Sequence, residues 1–345
     1  MTYLVSNAMS GTASRDAIPC GWDCGNGYAK LHFPAGEILI PSYFYQIDDR
    51  DCSNYEALGN GALVEYLSGD RLDLVGTRWL IGETAEIYQR LNYQRIVDDF
   101  KNKVSYGLQM LLGAIALMPK QSSYHLAIVA SLHDSQAFAT DLKKVLQGTH
   151  LVKFNGTSCT VSLTVQVTEE GIGALILNRV PSQRKVALID LGHGTTITSI
   201  FEGNKLLQNS RIVEPVGVYH LCSNIANNVE TRRRLNKPAS IHLVREGIYN
   251  QFLYGTTGWQ FDEIYAAELK PWLKSCLVKA FKHLQSRADD MDAIYLLGGG
   301  ALLPSVSAIA SRQGIATIHS SQMANVQGLL KLATLLQLQE SNKNG

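Results

Sequence analysis

Three glycine turns in this chain stand beside residues that can handle phosphate oxygens. The first is Asp23-Cys24-Gly25-Asn26-Gly27-Tyr28-Ala29-Lys30. A tight glycine hairpin lets backbone N–H groups approach an anion, because no Cβ blocks access. Asp23 is an acid of the kind that holds hydrated Mg²⁺, an ion that keeps most of its waters and needs few carboxylates. Lys30, on the following strand, is a point charge able to reach a phosphate. The second turn, Ile189-Asp190-Leu191-Gly192-His193-Gly194-Thr195-Thr196, repeats the mechanics: an acid, a glycine turn and two hydroxyls. The third is Leu297-Gly298-Gly299-Gly300-Ala301-Leu302-Leu303-Pro304. Consecutive glycines let a flat base or ribose lie against the backbone, and the helix that follows adds positive potential. Taken singly, each motif also reads as an ordinary hairpin or strand-to-helix turn, with His193 as loop filler. Neither G-x-G-x-x-G nor G-x-x-x-x-G-K-[ST] is present, which counts against a dinucleotide fold and a Walker loop.

The elements that must position these turns follow from periodicity. Strands are expected up to Asp23, at Tyr28–Phe33 and at Glu37–Ile40, with a strand-rich stretch over Ala62–Ile81. A helix is expected over Asp98–Met118, with Asp98 and Asp99 in its first turn and Pro119 as its stop. A buried strand at His125–Ala130, a helix at Gln136–Leu146, a strand at Ser158–Val167 and a short helix at Glu170–Asn178 come next. The pattern then restarts with strands at Lys185–Asp190 and Thr195–Phe201. Helices follow at Val216–Glu230, Ala239–Tyr249 and Asp262–Gln285, then a strand at Asp292–Leu297 and helices at Leu303–Ser311 and Val326–Leu338. Asp-x-Gly-x-Gly occurs at Asp23 and again at Asp190, 190 − 23 = 167 residues on. Each copy sits between two strands, which points to two related lobes, each presenting a glycine hairpin to a shared cleft.

Composition narrows the class. The chain has 345 residues, 46% hydrophobic and 18% charged, enough for two cores without staples. A formal charge of +1 gives no global drive toward nucleic acid. Cys20, Cys24, Cys52, Cys159, Cys222 and Cys276 contain no C-x-x-C pair, so a zinc ribbon is not expected and a reducing, cytoplasmic setting is. Residues 1–17 read as a polar arm without a signal peptide's apolar stretch. Arg232, Arg233 and Arg234 read as a solvated helix face, and Trp22, Trp79, Trp259 and Trp272 as core or interface.

In this order the three turns resemble the phosphate and adenosine loops of the actin-like ATPase superfamily, which also holds sugar kinases and DnaK-type chaperones. Asp23–Lys30 looks like the first phosphate loop, Asp190–Thr196 the second, and Gly298–Ala301 the adenosine loop. Glu169-Glu170-Gly171-Ile172-Gly173-Ala174 looks like the first interdomain helix, and Ala324-Asn325-Val326-Gln327-Gly328-Leu329 the second. The V-x-E-G-x-G-A and A-N-V-x-G phrases and the short chain are most similar to bacterial ParM/StbA-type plasmid-segregation actins. Many members carry an Asp just after the second loop's hydroxyls; here Ile197 stands there.

The resemblance implies an α/β, ribonuclease H-like two-lobed fold with duplicated mixed sheets and a nucleotide cleft between the lobes. Lobe I would span 18–184 with the helix 326–338, lobe II 185–325, and 339–345 a tail. It implies ATP, with GTP as the alternative, and Mg²⁺ near Asp23 and Asp190, through water. Gly25, Asn26, Gly27, Tyr28, Lys30, Gly192, His193, Gly194, Thr195, Thr196, Gly217, Arg245, Glu246, Gly298, Gly299, Gly300 and Ala301 would bind the nucleotide. Glu170 would orient the attacking water, with Glu169 its rival, and Asp190 would hold the metal's waters or share the base role. The partners implied are other copies of the chain, in a filament, and an adaptor that binds DNA or membrane, with no direct nucleic-acid contact. A small-molecule kinase is the alternative and needs a base aspartate; Asp48, Asp49 and Asp51 are available but sit in a loop unlike that signature. A chaperone is disfavoured because the peptide domain that DnaK-type proteins carry after the last helix is not in this sequence, and a Rossmann oxidoreductase by the missing fingerprint.

Overall fold

The computed structural model describes residues 17–343 apart from 91, 97, 98, 100, 286, 288 and 289. The expected arm before Ala17 and the Asp98 helix start lie outside the described residues. The chain divides into two compact units. One takes the residues up to Cys24, Tyr28–Glu170 and those from Val326 on; the other takes Gly25–Gly27 and Gly171–Asn325. Among the described residues, no helix is long and apolar enough to cross a membrane.

The first unit is built on a ten-stranded sheet. Its strands are β1 (Ile18–Cys24), β2 (Tyr28–Phe33), β3 (Gly36–Pro41), β4 (Tyr43–Ile47), β5 (Gly61–Gly69), β6 (Arg78–Gly82), β7 (Gln94–Arg95), β8 (Ser123–Leu132), β9 (Gly148–Phe154) and β10 (Thr157–Glu169). Between them lie α1 (Glu83–Tyr88), α2 (Asn102–Ser105), α3 (Gly107–Ile115) and α4 (Ser135–Leu146). β2 alternates half-buried and buried residues, and its buried set, Ala29, Leu31 and Phe33, joins the core under α3. The expected helix over 98–118 is broken at Tyr106, whose ring stacks on Phe44 with centroids 4.6 Å apart. Backbone bonds still cross the join, Tyr106 N–H to Asn102 O and Met110 N–H to Tyr106 O, so the break is a kink.

The second unit contains α5 (Ile172–Leu177), β11 (Lys185–Leu191), β12 (Thr196–Glu202), β13 (Lys205–Leu206), β14 (Ile212–Glu214), α6 (Val218–Asn227), α7 (Val229–Leu235), α8 (Ile241–Tyr249), α9 (Asp262–Gln285), β15 (Ala293–Leu297), α10 (Val306–Ser311) and β16 (Ala316–Thr317). The last helix, α11 (Ala324–Lys343), begins at the end of this unit and continues into the first. Trp272 and Cys276 of α9 are buried with Leu221 and Ile225 of α6 against β11 and β15.

The two sheets repeat one pattern. β3-β2-β1-β8-β10 and β13-β12-β11-β15-β16 have the same order. In each, the first three strands run antiparallel and the next two join in parallel. The repeated Asp-x-Gly-x-Gly therefore marks equivalent hairpins. Asp23 is next to last in β1, opposite Ser131 of β8, and Asp190 next to last in β11, opposite Leu297 of β15.

In the first unit α11 lies against β1 where Gly21 stands. A Cβ there would be 2.3 Å from Val326 O and 2.7 Å from Leu330 N. Leu329, Ala333 and Leu336 cover Val129, and the Gln337 amide donates to Ala17 O at 2.6 Å. The docking of this helix on the first lobe agrees with its Leu-rich sequence. Trp22, Trp79 and Trp272 are core residues, and Arg232, Arg233 and Arg234 are exposed on α7.

Candidate functional site

In the first unit, four charged side chains gather at the ends of β1 and β10. Lys30 donates to Asp23 Oδ2 at 2.9 Å and Ser131 to Asp23 Oδ1 at 3.1 Å. Asp23 itself is buried. Burial pushes its carboxyl up, but the charges of Lys30 and Lys103 and the hydrogen bonds from Lys30 and Ser131 outweigh that. They hold it below the usual carboxylate range. Lys103 Nζ lies 3.5 Å from Glu170 Oε2, with both side chains largely buried. Burial also pushes the neighbouring Cys24 thiol up to about 12, so it is no nucleophile at neutral pH.

The two adjacent acids have different partners. Glu169 accepts from the Ser135 hydroxyl at the start of α4, whereas Glu170 faces Lys103. Glu170 N–H donates to Leu132 O, which fixes its backbone at the end of β10. Lys103 and Ser131 escaped the sequence reading. Lys103 did leave a trace, as a cation beside Lys101 at the head of an apolar helix, while Ser131 becomes visible only through its register with Asp23.

In the second unit the three glycine turns meet. The turn after β11 closes with Gly192 N–H donating to Thr195 O at 2.9 Å. A Cβ on Gly27 would stand 2.7 Å from the Cβ and Cγ of His193, so only glycine lets the first hairpin's tip rest there. A Cβ on Gly298, where φ is +88°, would stand 2.1 Å from Asp190 Oδ1. One on Gly300 would be 2.7 Å from Leu191 Cβ. Of the sequence-predicted residues, Gly27 with His193, Gly298 with Asp190, and Gly300 beside Leu191 are thus brought together. Tyr28 opens β2 in the first unit.

Some predicted residues serve the scaffold. Gly217 seats the second turn: a Cβ on it would meet His193 O at 2.5 Å and Gly192 O at 2.6 Å. The first amides of α6 donate to those same carbonyls, Val218 to Gly192 O and Tyr219 to His193 O. Gly217 O accepts from the Trp272 indole at 2.9 Å. Thr196 is buried and its hydroxyl donates to Val216 O at 2.7 Å, which ties down the hairpin. Arg245 and Glu246 form a separate group on α8. Arg245 is buried 3.4 Å from His242, and Glu246 pairs with the other nitrogen of His242 at 3.1 Å.

Gly299 differs from its neighbours. Its backbone is outside the left-handed region, and a Cβ there would meet nothing closer than Gln322 at 3.9 Å. The middle glycine of the third turn is therefore not required by the protein's own packing. The space beside it suits a flat group lying on the backbone. The oxygen donors fit a hard, water-retaining cation. Of the two acids expected near it, Asp23 carries an ammonium at 2.9 Å, which repels a second cation. Asp190, beside Gly298, is the acid at the meeting point of the turns.

Comparison with known proteins agrees with this geometry. Residues 21–173 match the family model of the actin like proteins N terminal domain. The actin-like protein Alp7A superposes with a TM-score of 0.73 at 15% identity, covering 95% of this chain and 99% of Alp7A. The fold is actin-like. Bacillus thuringiensis ParM with ATP gives a TM-score of 0.68 at 16% identity, with 94% and 100% of the two chains covered. A ParM subunit from a 15-stranded Clostridium botulinum filament gives 0.65 at 16% identity, with 92% and 99% covered. No curated protein sequence matches the chain. The actin-like resemblance read from the glycine turns is thus borne out in the fold, including the duplicated mixed sheets.

Proposed function

We propose that this chain binds and hydrolyses ATP and assembles with copies of itself into a filament that segregates DNA or serves as a cytoskeletal element. The observation that carries the nucleotide reading is the meeting of three distant glycine turns beside Asp190, with Gly299 left open by the packing. The filament reading draws on the structural likeness to ParM proteins, one of them solved as a filament and one with ATP.

The residues divide the work by their chemistry. Backbone N–H groups of Gly25–Gly27 and of Gly192–Thr195 bind phosphate oxygens, and Lys30 adds a point charge. Gly298–Ala301 supports the nucleoside. Asp190, assisted by Asp23, would hold Mg²⁺ through water, and that ion when bound offsets charge on the phosphates. Glu170 accepts a hydrogen bond from the attacking water and orients it, and Asp190 holds further waters in place. Hydrolysis moves an assembly equilibrium only by the difference in affinity between states, so bound nucleotide is what sets polymer lifetime. An adaptor would supply the link to DNA or membrane, and GTP is the nucleotide to compare with ATP.

Nothing favours the kinase alternative. Asp48 is tied to Arg50, and Asp51 to Ser53 and Tyr55, in a local turn. Calorimetry with ATP and GTP tests the nucleotide reading. Light scattering and electron microscopy with and without ATP test the filament. Binding without polymer, accompanied by phosphate transfer to a small acceptor, would replace this reading with the kinase.

A further inference from the structure

We infer that Lys103 is the positioning residue of hydrolysis, holding the Glu170 carboxylate in place and affecting turnover only through it. The inference rests on the reading of Glu170 as the acid that orients water. Lysine is rarely buried without a partner, and Lys103 is 6% exposed. Its Nζ is 3.5 Å from Glu170 Oε2, and the two side chains are 8% and 14% exposed. The other ammonium in the cluster, Lys30, is committed to Asp23 at 2.9 Å. The neighbouring acid, Glu169, is committed to Ser135. Lys30 thus hydrogen-bonds Asp23 and Lys103 pairs with Glu170, while the Lys103 charge also reaches Asp23.

Stability alone is a poor reason for this lysine. A buried ion pair recovers little more than its desolvation cost, and an apolar side chain of similar length would fill the head of α2 as well. What the pair provides is a fixed carboxylate. The backbone of residue 170 is already pinned by its bond to Leu132 O, and Gly171 with φ +100° turns the chain at once into α5. The remaining freedom is in the Glu170 side chain, and the attraction of the Lys103 ammonium at 3.5 Å restricts it. A displacement of about 1 Å in a group that aligns a nucleophile costs on the order of 10²-fold in rate.

The test is a double-mutant cycle on the full chain. Phosphate release from saturating ATP gives kcat, and calorimetry gives ATP affinity. E170Q is expected to slow turnover by about 10²-fold, within the range of a positioned general base. K103M is expected to slow it by a similar factor while leaving ATP affinity within about threefold. The double variant should turn over within about twofold of E170Q alone, because the group through which Lys103 acts is already gone. K103M leaves a buried carboxylate unpaired and could fail to fold. The double variant removes both charges together, so the comparison of E170Q with K103M/E170Q decides the question by itself. A further loss well beyond twofold in the double variant overturns the inference. So does weakened ATP affinity in K103M, which makes Lys103 a phosphate ligand. E170Q hydrolysing at the wild-type rate overturns the underlying reading of Glu170, a result distinct from both.

Discussion

Two adjacent glycines of the third turn predict opposite behaviour under the same change, one methyl group. In Gly298→Ala the new Cβ would sit 2.1 Å from Asp190 Oδ1 and 2.6 Å from Leu191 O, with φ at +88°. No rotamer relieves a Cβ clash with backbone, and the left-handed conformation is itself strained for alanine. Such strain costs roughly 1–3 kcal/mol, and the clash adds to it. For a unit of this size about 2–3 kcal/mol lowers the melting temperature by roughly 5–10 °C. In Gly299→Ala the nearest atom is Gln322 at 3.9 Å, an ordinary contact, and φ is not left-handed. The protein alone has no reason to object, and the loss of unfolded-state freedom even stabilises it by up to about 1 kcal/mol. If a nucleoside lies on this backbone, the methyl group occupies its space. Overpacking of about 1–3 kcal/mol then weakens ATP binding by roughly 10- to 100-fold. The assays are thermal melting without nucleotide and calorimetry with ATP, on both variants. A Gly299→Ala protein that melts like wild type and binds ATP like wild type would refute the assignment of this turn to the nucleoside. A Gly299→Ala protein that is itself destabilised would refute the structural argument that the site is open.

Other consequences follow from the same contacts. Asp190→Ala should reduce ATP turnover by about 10²-fold or more, and unchanged phosphate release would remove Asp190 from the site. Glu170→Ala should spare ATP binding and lengthen polymer lifetime, read as slower decay of light scattering once free ATP is exhausted. Gly21→Ala should destabilise the first unit by about 2 kcal/mol or more, because its Cβ would drive α11 off β1; unchanged chemical denaturation would show that the helix yields freely. Burial pushes the His150 imidazole below its ordinary value, against Tyr66 and the Leu146 carbonyl. Its neutral form is favoured in the fold, so the stability it contributes is present above about pH 6.5 and is lost as pH falls toward the folded value. Melting temperatures of wild type should therefore drop faster than those of His150→Gln between pH 7 and 5, and parallel curves would exclude this role.

The legible part of the fold was the part with strict alternation or strong punctuation. β2 was read at its true limits because Tyr28–Phe33 alternates between a glycine turn and Pro34. α9 was read at its limits despite Pro271, since its apolar positions continue through the proline. β4, β9 and α1 were missed. β9 alternates well, but it follows α4 with only Gln147 between them, so local pattern does not separate helix end from strand start. α1 begins directly at the end of β6, at Gly82 with φ +66°. The glycine turns announced themselves, because close approach demands glycine whatever the neighbours are. Lys103 did not, since a buried cation differs from a solvated one only in what surrounds it, and its partners lie 67 and 80 residues away in sequence.

The duplication also explains why two similar motifs need not do the same work. Asp23 and Asp190 occupy equivalent positions, each next to last in the strand that pairs antiparallel on one side and parallel on the other. Their neighbours across the parallel pair differ. Ser131 stands opposite Asp23 and donates to it; Leu297 stands opposite Asp190 and has no polar side chain to offer. The next strand supplies Lys30 to Asp23 at seven residues' distance. At the corresponding place after Asp190, residue 197 is Ile197. One acid is thus neutralised by an ammonium and a hydroxyl within its own sheet, and the other meets only apolar residues at those two places. On the proposed reading these equivalent carboxylates would take unequal parts, Asp23 holding the lysine that meets the phosphates and Asp190 the larger share of the metal's waters.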